Sequence, residues 1–414
     1  MNIPQTLSAW LAYIEQLHVK KIDLGLDRIE KIASQLCLKR FSCPVIIVGG
    51  TNGKGSVVTA LENIYDAAGY KTGAYFSPHI LNFNERIRIA QVDISDEKLI
   101  FAFETIEYAR NDISLSFFEF TTLAALLLFQ QADLDVLILE IGLGGRLDAV
   151  NIVEHDLAIV TSIDFDHMDY LGDTLDEIAF EKASIARKNK FFICGDDHPP
   201  KKLFDVVSEK KANLILFKKD FDDTDFQHKL LKIKSQNAAI AMKATDCLQN
   251  RLPVSAQTAM SAIEKTSLPA RFEFVEKPFP MILDVAHNPQ AAKWLKIQYQ
   301  NLLPFKKTVV LIGMLKDKAI IETVEPFLPW IQDWYIAKLP SERGSDGVII
   351  AEFLKTRDVK NCYTFESVDD ALNAMNMAYC QNNWERALIF GSFYTIAATK
   401  NWILAKGEDL WKKK

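Results

Sequence analysis

The sequence lacks the features that would assign it to several specialised classes. Its six cysteines form no Cys-x-x-Cys pair, which argues against a zinc site or a disulfide framework and favours reduced thiols. The net charge of −6 argues against a nucleic-acid-binding surface. The longest apolar runs, such as residues 123–129, are too short to span a bilayer, and no secretory signal is visible. We therefore expect a cytoplasmic protein that binds neither nucleic acid nor membrane.

Internal repeats and low-complexity tracts are also missing. A chain of 414 residues is too long to fold around one ordinary hydrophobic core, so the length suggests two or three domains. A hydrophobic fraction of 49% and a charged fraction of 25% are typical of globular proteins.

Strand-like and helix-like segments alternate along the chain, which predicts parallel strands joined by helical crossovers. The predicted fold is α/β: a doubly wound, mostly parallel sheet domain of the P-loop ATPase type over residues 1–268, a linker over 269–280, and a smaller Rossmann-like α/β domain over 281–414. The predicted strands are 44–48, 72–76, 135–139, 157–161, 190–193, 281–285, 308–313, 333–337 and 387–390. The predicted helices, after a helical start over 1–43, are 53–68, 97–110, 119–131, 174–187, 236–249, 255–264, 289–301, 317–325, 347–356, 367–380 and 393–404.

The segment 45–56 predicts a loop that binds nucleotide phosphates. Four apolar residues form a probable buried strand, and a glycine-rich turn with one lysine leads into a predicted helix. Glycines let the backbone wrap around an anion, the helix N-terminus adds positive potential, and Lys54 can reach the outer phosphates. An ordinary strand–turn–helix connection is the alternative, but the co-occurrence of these parts favours a nucleotide site. The expected contact residues are Gly50, Thr51, Asn52, Gly53, Lys54, Gly55 and Ser56.

This loop lacks the hydroxyl that usually follows the lysine and binds Mg²⁺. Gly55 occupies that position, and the hydroxyl arrives one residue later, at Ser56. The metal is therefore expected to find ligands elsewhere in the chain.

Glu140 is the first candidate, because it ends an apolar strand and precedes a glycine-rich turn. Parallel-sheet enzymes bind ligands at the carboxyl ends of strands, so Glu140 is expected beside the phosphate loop as a Mg²⁺ ligand. A capping or surface glutamate is the alternative, although it fits poorly on so apolar a strand.

Two further candidates follow the strand at 157–161. His167 lies in the acidic loop Asp164–His167, where it could be a metal ligand or a structural histidine. Lys182 lies on a predicted amphipathic helix, where spacing alone predicts an ordinary surface lysine.

Asp284 and His287 end a strand of the second domain, directly before a helix with Pro289 in its first turn. They could reach the nucleotide, or Asp284 or Asn288 could serve only as a helix cap. Arg271, in the predicted linker, could bind phosphate oxygens through its guanidinium group.

Several motifs then establish a resemblance along nearly the whole chain. They are Gly50-Thr51-Asn52-Gly53-Lys54-Gly55-Ser56, Ser77-Pro78-His79, Asn84-Glu85-Arg86-Ile87, the run from Glu140 to Asp148-Ala149-Val150-Asn151, Asp166-His167, Glu181-Lys182-Ala183, Arg271-Phe272-Glu273 and Asp284-Val285-Ala286-His287-Asn288-Pro289. In this order they resemble the folylpolyglutamate synthases of the Mur ligase superfamily, and most of all the bifunctional dihydrofolate synthases of bacteria.

The resemblance implies an ATP-dependent ligase. ATP would phosphorylate a carboxylate of dihydropteroate or tetrahydrofolate, the amino group of L-glutamate would attack the acyl phosphate, and ADP and phosphate would leave. The domain over 1–268 would bind ATP, and the domain over 281–414 would be the glutamate ligase domain. Domain closure would assemble the site and exclude water from the intermediate. A monomer is expected.

The resemblance also implies two Mg²⁺ sites and a set of catalytic residues. Ser77 and Glu140 would hold the first ion, and His167 would share the second with Glu140. Lys182 would be carbamylated by CO₂ and would bind metal, contrary to its reading as a surface lysine. A monovalent cation is a further candidate cofactor. The expected catalytic residues are Lys54, Glu140, His167 and Lys182.

The remaining expected roles concern ligands. Asn237, Arg271, Asp284 and His287 would bind ATP. The positions associated with substrate are Phe118, Asp148 and Ala149, for the pterin, and Arg86. The chain departs from the family pattern where Ala270 and Val285 replace glycines, and each adds a Cβ near the expected ATP ligands.

Three alternatives remain. A ligase that builds peptidoglycan would need a separate N-terminal domain, and too little chain precedes the first strand. A monofunctional folylpolyglutamate synthase would not use dihydropteroate. The set Phe118, Asp148 and Ala149 favours a bifunctional enzyme over this alternative. A P-loop ATPase module would release ADP without glutamate or a pterin acid.

Overall fold

The chain folds into two compact units, Met1–Ser267 and Leu268–Lys414. The computed structural model describes residues 4–407, apart from 21, 230, 303–306, 332 and 382. Each unit contains one mostly parallel sheet, so the predicted fold of two α/β sheet domains is confirmed. The predicted linker over 269–280 differs from the structure, because this segment belongs to the second unit and contains a strand of its sheet.

The first unit is built around an eight-stranded sheet. Its strands are β1 Val45–Gly49, β2 Thr72–Tyr75, β3 Ile87–Ile89, β4 Val92–Asp93, β5 Val136–Glu140, β6 Leu157–Val160, β7 Phe191–Cys194 and β8 Asn213–Leu216. They are arranged in the order β4-β3-β2-β5-β1-β6-β7-β8, where β3 pairs antiparallel with both β2 and β4. The central strands β1 and β5 are buried throughout, as expected for a parallel sheet covered on both faces.

Ten helices accompany this sheet among the described residues. They are α1 Leu7–Ile14, α2 Asp27–Gln35, α3 Lys54–Ala67, α4 Asp96–Arg110, α5 Phe117–Gln130, α6 Met168–Leu171, α7 Leu175–Ala183, α8 Lys201–Glu209, α9 Ser235–Cys247 and α10 Ala256–Lys265. The apolar helix α5 is almost wholly buried. Its first turn is closed by a capping box between Ser116 and Glu119, and Glu119 also pairs with Arg28 of α2.

The second unit contains a six-stranded sheet in the order β13-β12-β11-β14-β10-β9, where β9 pairs antiparallel with β10. Its strands are β9 Glu273–Val275, β10 Met281–Leu283, β11 Thr308–Ile312, β12 Asp333–Ala337, β13 Asn361–Phe365 and β14 Arg386–Phe390. Its helices are α11 Pro289–Gln300, α12 Ile320–Val324, α13 Val348–Thr356, α14 Val368–Cys380 and α15 Phe393–Ala405.

The strands that were not predicted are β3, β4, β8, β9 and β13, and the helices that were not predicted are α6 and α8. Most of the missed strands lie at sheet edges, where few residues are buried. The helix predicted over 317–325 is shorter, because α12 is followed by a 3₁₀ turn, Glu325–Phe327. The end of the predicted second domain, residues 408–414, lies outside the described residues.

Across the part of the chain that the structure covers, no helix has both the length and the apolar character needed to cross a membrane.

A buried ion pair links α3, the helix that follows the phosphate loop, to β3. The fully buried carboxylate of Glu62 accepts a hydrogen bond from Arg88, whose guanidinium lies 4.3 Å from the ring centroid of Phe76. One carboxylate oxygen of Glu62 and Nε of Arg88 have no hydrogen-bond partner. Burial raises the pKa of Glu62 to about 7, although the charge of Arg88 acts in the opposite direction.

We expect the free energy of unfolding to fall as Glu62 loses its proton. The pKa of Glu62 is about 7 in the folded protein, against an ordinary value of 4.5. The stability that the protonated carboxyl contributes is therefore fully present below pH 4.5 and is lost as pH rises through about 7. Between about pH 5 and pH 8, the free energy of unfolding of Glu62→Gln should therefore rise by about 1–3 kcal/mol relative to that of the unsubstituted protein. Urea unfolding of both proteins across this range measures the difference.

The matched control is Glu104→Gln, which makes the same exchange at an exposed position of α4. Its unfolding free energy should follow that of the unsubstituted protein at every pH. A difference between Glu62→Gln and the unsubstituted protein that does not change with pH would contradict the assignment.

Candidate active site

The predicted phosphate loop is a tight turn between β1 and α3. Gly50 and Gly53 have φ angles of +133° and +92°, which favour glycine. Neighbouring groups also approach these glycines closely. A Cβ at Gly50 would lie 2.0 Å from Oγ1 of Thr161, and one at Gly53 would lie 2.7 Å from Oδ1 of Asn237. The structure thus places Asn237, at the start of α9, directly against the loop.

Hydrogen bonds hold the loop to the segment that follows β6. The amide of Thr51 donates to the carbonyl of Ser162 (2.8 Å), and the amide of Asn52 donates to the Ser162 hydroxyl (3.1 Å). Thr51 Oγ1 donates to the carbonyl of Asp164 and accepts from the amide of that residue, at 3.1 and 3.0 Å. The loop conformation is therefore fixed by the protein itself.

Lys54 is the first residue of α3, and its ammonium group contacts the loop. Nζ donates to the carbonyl oxygens of Gly50 (3.1 Å) and Thr51 (3.3 Å). The positive charge therefore lies at the N-terminus of a 14-residue helix, where backbone amides already favour an anion. Ser56 is buried within the first turn of the helix, and Gly55 precedes it.

Glu140 lies beside this loop, as its sequence position predicts. It is the last residue of β5 and pairs with Val48 of the adjacent strand β1. Its buried carboxylate accepts a hydrogen bond from the amide of Ser77 at 3.3 Å. Ser77 follows β2, the other neighbour of β5 in the sheet, so the structure brings these two residues together.

His167 lies after β6, on the other side of β1 in the sheet. It has a φ angle of +53° and precedes α6. Its Nε2 lies 3.9 Å from Oδ2 of Asp166, and its amide donates to Oδ1 of the same carboxylate at 2.9 Å. Asp166 thereby orients the turn that presents the imidazole.

Lys182 is buried, in contrast to the surface position that its helical pattern suggests. Only 4% of the residue is exposed. Burial lowers the pKa of Lys182 to about 7, and the charge of Lys54 lowers it further, against the opposing effects of Asp166, Glu181 and Asp148. The helix α7 packs against a glycine turn at this point, since a Cβ at Gly145 would lie 3.3 Å from Cα of Lys182.

The residues expected to contact the pterin lie around the same glycine turn. The half-buried ring of Phe118 lies against Gly142, where an added Cβ would approach Cζ of the ring to 2.5 Å. The buried carboxylate of Asp148 accepts hydrogen bonds from the amides of Leu143 (2.8 Å) and Val150 (2.9 Å). Burial raises the pKa of Asp148 to about 6. Asp148 therefore shapes this turn, and Ala149 follows it in a 3₁₀ helix, Ala149–Ile152.

Arg86 lies just before β3 and is 9% exposed. Its Nε donates to Nδ1 of His79 at 2.8 Å. The guanidinium carbon lies 5.5 and 5.7 Å from the ring centroids of Phe83 and Phe117. Burial lowers the pKa of Arg86, and it lowers the pKa of His79 to about 4, where the charge of Arg86 is the second cause. His79 lies within a predicted motif, but no role was predicted for it.

Asp284, in the second unit, organises the turn after β10. Its buried carboxylate accepts hydrogen bonds from the amides of Phe272 (2.9 Å) and Ala286 (2.7 Å), and burial raises its pKa while the charge of Arg271 lowers it. His287 Nδ1 lies 2.8 Å from the carbonyl oxygen of Val285. The cap of α11 is Asn288, which accepts from the amide of Ala291, so Asp284 is not the cap.

A buried ion pair missed by sequence reasoning supports the segment that carries Arg271. Lys400 of α15 is 1% exposed, and its Nζ lies 2.8 Å from Oε2 of Glu273. The same carboxylate accepts from the amide of Ala270 at 2.6 Å. Ala270 has a φ angle of +57°, a backbone conformation that favours glycine. No pattern around Lys400 distinguishes it from a surface lysine.

The oxygen donors of Ser77 and Glu140 suit Mg²⁺, which prefers oxygen ligands and keeps several of its waters. Among the residues that the structure describes, no group of three or more His, Cys, Asp or Glu side chains is arranged to hold a metal ion. Ser77 and Glu140 would therefore supply part of the ligand set of such an ion.

The chain matches known protein families along most of its length. Residues 48–257 match the Mur ligase middle domain, and residues 270–393 match the Mur ligase, glutamate ligase domain. The dihydrofolate synthase/folylpolyglutamate synthase of Escherichia coli (strain K12) is 40% identical over 405 residues, covering 94% of this chain and 94% of that protein. The protein of the same name from Haemophilus influenzae is 37% identical over 428 residues, covering 94% of this chain and 96% of that protein.

Solved structures show the same similarity. Escherichia coli FolC in complex with DHPP and ADP matches with a TM-score of 0.92 and 38% identity, covering 99% of this chain and 100% of that chain. A bifunctional folylpolyglutamate synthase/dihydrofolate synthase with Mn, AMPPNP and L-glutamate bound matches with a TM-score of 0.88 and 36% identity, covering 98% and 100%. Because both Mur ligase domains and nearly the whole length match, the chain belongs to the dihydrofolate synthase/folylpolyglutamate synthase family of Mur ligases.

Proposed function

We propose that this ATP-dependent ligase joins L-glutamate to dihydropteroate and to tetrahydrofolate. The γ-phosphoryl group of ATP passes to a carboxylate oxygen of the acid, and ADP leaves. The amino nitrogen of glutamate then bonds to the acyl carbon, phosphate leaves, and the nitrogen gives up a proton. The observation that carries the proposal is the pairing of Glu140 with Val48, which sets a carboxylate beside the loop of Lys54 in a chain with both Mur ligase domains.

Lys54 and the loop amides bind the nucleotide phosphates in this proposal. The ammonium group now donates to two carbonyl oxygens of the loop, and phosphate oxygens would take their place. Since the loop is fixed by the segment after β6, little of the binding energy is needed to order it. The proposed nucleotide ligands are Gly50, Thr51, Asn52, Gly53, Lys54, Gly55, Ser56 and Asn237 in the first unit, and Arg271, Asp284 and His287 in the second.

Ser77, Glu140 and His167 are the proposed Mg²⁺ ligands, together with a modified Lys182. Two bound ions would screen the repulsion between a carboxylate and a triphosphate and stabilise charge on the transferring group. The hydroxyl of Ser77 replaces the one missing at Gly55, and the backbone amide of Ser77 holds Glu140 in place.

Lys182 is proposed to carry a carbamate derived from CO₂. A carbamate forms from the neutral amine, and the burial that lowers the pKa of Lys182 to about 7 supplies this form near neutral pH. The modification converts a cation that lies near Lys54 into an anion. The repulsion between Lys182 and Lys54 would therefore become an attraction. The carbamate would also supply an oxygen ligand, which an unmodified lysine cannot provide.

The acid substrate is proposed to contact Phe118, Asp148, Ala149 and Arg86. The ring of Phe118 and the glycine turn form one wall, and Arg86 supplies a buried positive charge for a carboxylate. The Escherichia coli relative in complex with DHPP supports the use of dihydropteroate, and the relative with L-glutamate bound supports the second substrate. A cytoplasmic location, a monomeric state and a monovalent cation requirement stay predictions.

An assay of ADP release tests the reaction. With dihydropteroate or tetrahydrofolate, we expect ADP to form only when glutamate is present, because the amine completes the turnover. Glu140→Gln should lower kcat at least about 100-fold, as expected for the loss of a group that stabilises transferring charge, and leave the unfolding curve unchanged. Glu154→Gln, at an exposed position, is the matched control.

Each alternative gives its own result in this assay. ADP release without glutamate or acid would indicate an ATPase module. Glutamate-dependent turnover with tetrahydrofolate but not with dihydropteroate would indicate a monofunctional enzyme. Near-normal turnover by Glu140→Gln would remove this residue from the metal site.

Two glycines with similar φ angles test the phosphate loop. Gly69→Ala, at φ +88° with no atom within 4 Å of the added Cβ, should lower the free energy of unfolding by about 1–2 kcal/mol. Gly53→Ala, at φ +92°, adds the clash with Asn237, so it should lower stability further and weaken ADP binding about tenfold or more. Denaturant unfolding and calorimetric titration with ADP and Mg²⁺ measure both effects. Equal losses of stability and equal ADP affinities would contradict the proposed packing of Asn237 on the loop.

Carbamylation of Lys182 can be detected directly. Protein equilibrated with ¹³C-bicarbonate should show a carbamate signal by NMR that strengthens as pH rises through about 7, because the neutral amine is the reacting form. The signal should be absent in Lys182→Ala and retained in Lys188→Ala, which changes an exposed lysine nearby in the chain. Turnover of Lys182→Ala should be lost and partly restored by added bicarbonate. Identical spectra for the two variants would refute the modification.

A further inference from the structure

Arg86 is a buried cation without a carboxylate partner. Among the described residues, no direct ion pair joins its guanidinium group to a carboxylate, although it is only 9% exposed. Burial lowers the pKa of Arg86, and the charges of Glu140 and Glu85 oppose this effect without direct ion pairing. A buried charge without a directly paired counter-ion is unfavourable, so such an arginine commonly marks the place of an anionic ligand. The rings of Phe83 and Phe117 restrict the guanidinium on its sides without neutralising it.

His79 determines which edge of Arg86 remains available. Its Nδ1 accepts the hydrogen bond from Nε at 2.8 Å, which uses one of the five donors of the guanidinium. The terminal amino groups then form the fork that matches a carboxylate in a bidentate manner. Since His79 accepts at Nδ1, its ring is held in the tautomer that carries hydrogen on Nε2.

Hydrogen bonds hold the segment between His79 and Arg86 in place, and this fixes the contact between the two side chains. The carboxylate of Glu85 accepts hydrogen bonds from the amides of Ile80 (2.7 Å), Leu81 (2.8 Å) and Asn82 (2.8 Å). The carbonyl of Arg86 accepts from the amide of Phe76 at 2.8 Å. The buried ring of Phe83 lies 5.9 Å from the imidazole of His79, between centroids, so one side chain packs against both partners.

We propose that His79 is a positioning residue that orients the Arg86 guanidinium toward the carboxylate of the acid substrate. This inference rests on the proposed function, because it assigns Arg86 to the acid and not to ATP or glutamate. His79 acts through Arg86 and takes no part in the phosphoryl transfer.

The test measures KM for each of the three substrates in His79→Ala and His79→Asn. Loss of the acceptor should raise KM for dihydropteroate about tenfold in His79→Ala, the usual effect of losing one hydrogen bond to a charged group. KM for ATP and for glutamate should stay within about twofold, since these ligands do not depend on the fork of Arg86. His79→Asn places an amide oxygen near the position of Nδ1 and should restore most of the affinity.

A double substitution separates positioning from a general structural role. If His79 acts through Arg86, His79→Ala should have little further effect on KM in an Arg86→Lys background, because lysine offers no Nε donor for His79 to orient. Additive effects of the two substitutions would overturn the proposal. So would an unchanged KM for dihydropteroate in His79→Ala, equal increases for all three substrates, or equal impairment of the Ala and Asn variants.

The outcome remains decisive if His79→Ala fails to fold. In that case His79→Asn is compared with His79→Gln, whose longer side chain carries its amide past the position of Nδ1. The Asn variant should keep KM for dihydropteroate near the unsubstituted value and the Gln variant should raise it, whereas equal values would overturn the inference. Failure of the proposed function is distinct, because the unsubstituted protein would then show no turnover with either acid.

Discussion

The parallel pairing of β1 with β5 is the constraint on which the site depends. In a parallel sheet the carboxyl ends of adjacent strands reach the same edge, so the register Val48 to Glu140 sets the end of one strand beside the end of the other. The glycine turn and Lys54 continue from β1, and the carboxylate ends β5. A slip of one residue would turn Glu140 to the opposite face of the sheet, and the loop would then lack its acidic neighbour.

In each unit, buried aspartates near the ends of strands are satisfied by backbone amides. Asp148 in the first unit and Asp284 in the second each accept two amide hydrogen bonds from a turn that follows a strand. The carboxylates thereby fix turns that neighbour the residues expected to contact ligands. Lys182 and Arg86 differ, because burial leaves them with charges that the described side chains do not neutralise by direct ion pairs, and ligand chemistry is the natural complement.

Sequence patterns predicted the fold class and the central strands, and they indicated the sheet edge of the candidate site, because apolar strands followed by glycines are local signals. They did not reveal that Lys182 is buried, since its burial depends on the contact between α7 and the turn at Gly145, which are distant in the chain. His79 and Lys400 carry no local pattern that indicates their partners. The short strands β3 and β4 were missed because two or three residues cannot show a period.

The pair formed by Lys400 and Glu273 has a consequence for how the C-terminal part of the chain can vary. The two positions are 127 residues apart, and their side chains are 1% and 19% exposed, so the ammonium group is buried and the carboxylate is largely buried. Replacing Glu273 alone removes the carboxylate that pairs with a buried ammonium group, so the tolerated route of divergence is a coordinated exchange of both residues. Homologous sequences should therefore show covariation between these positions, and any shortening of the chain that removes α15 would also release the segment that carries Arg271.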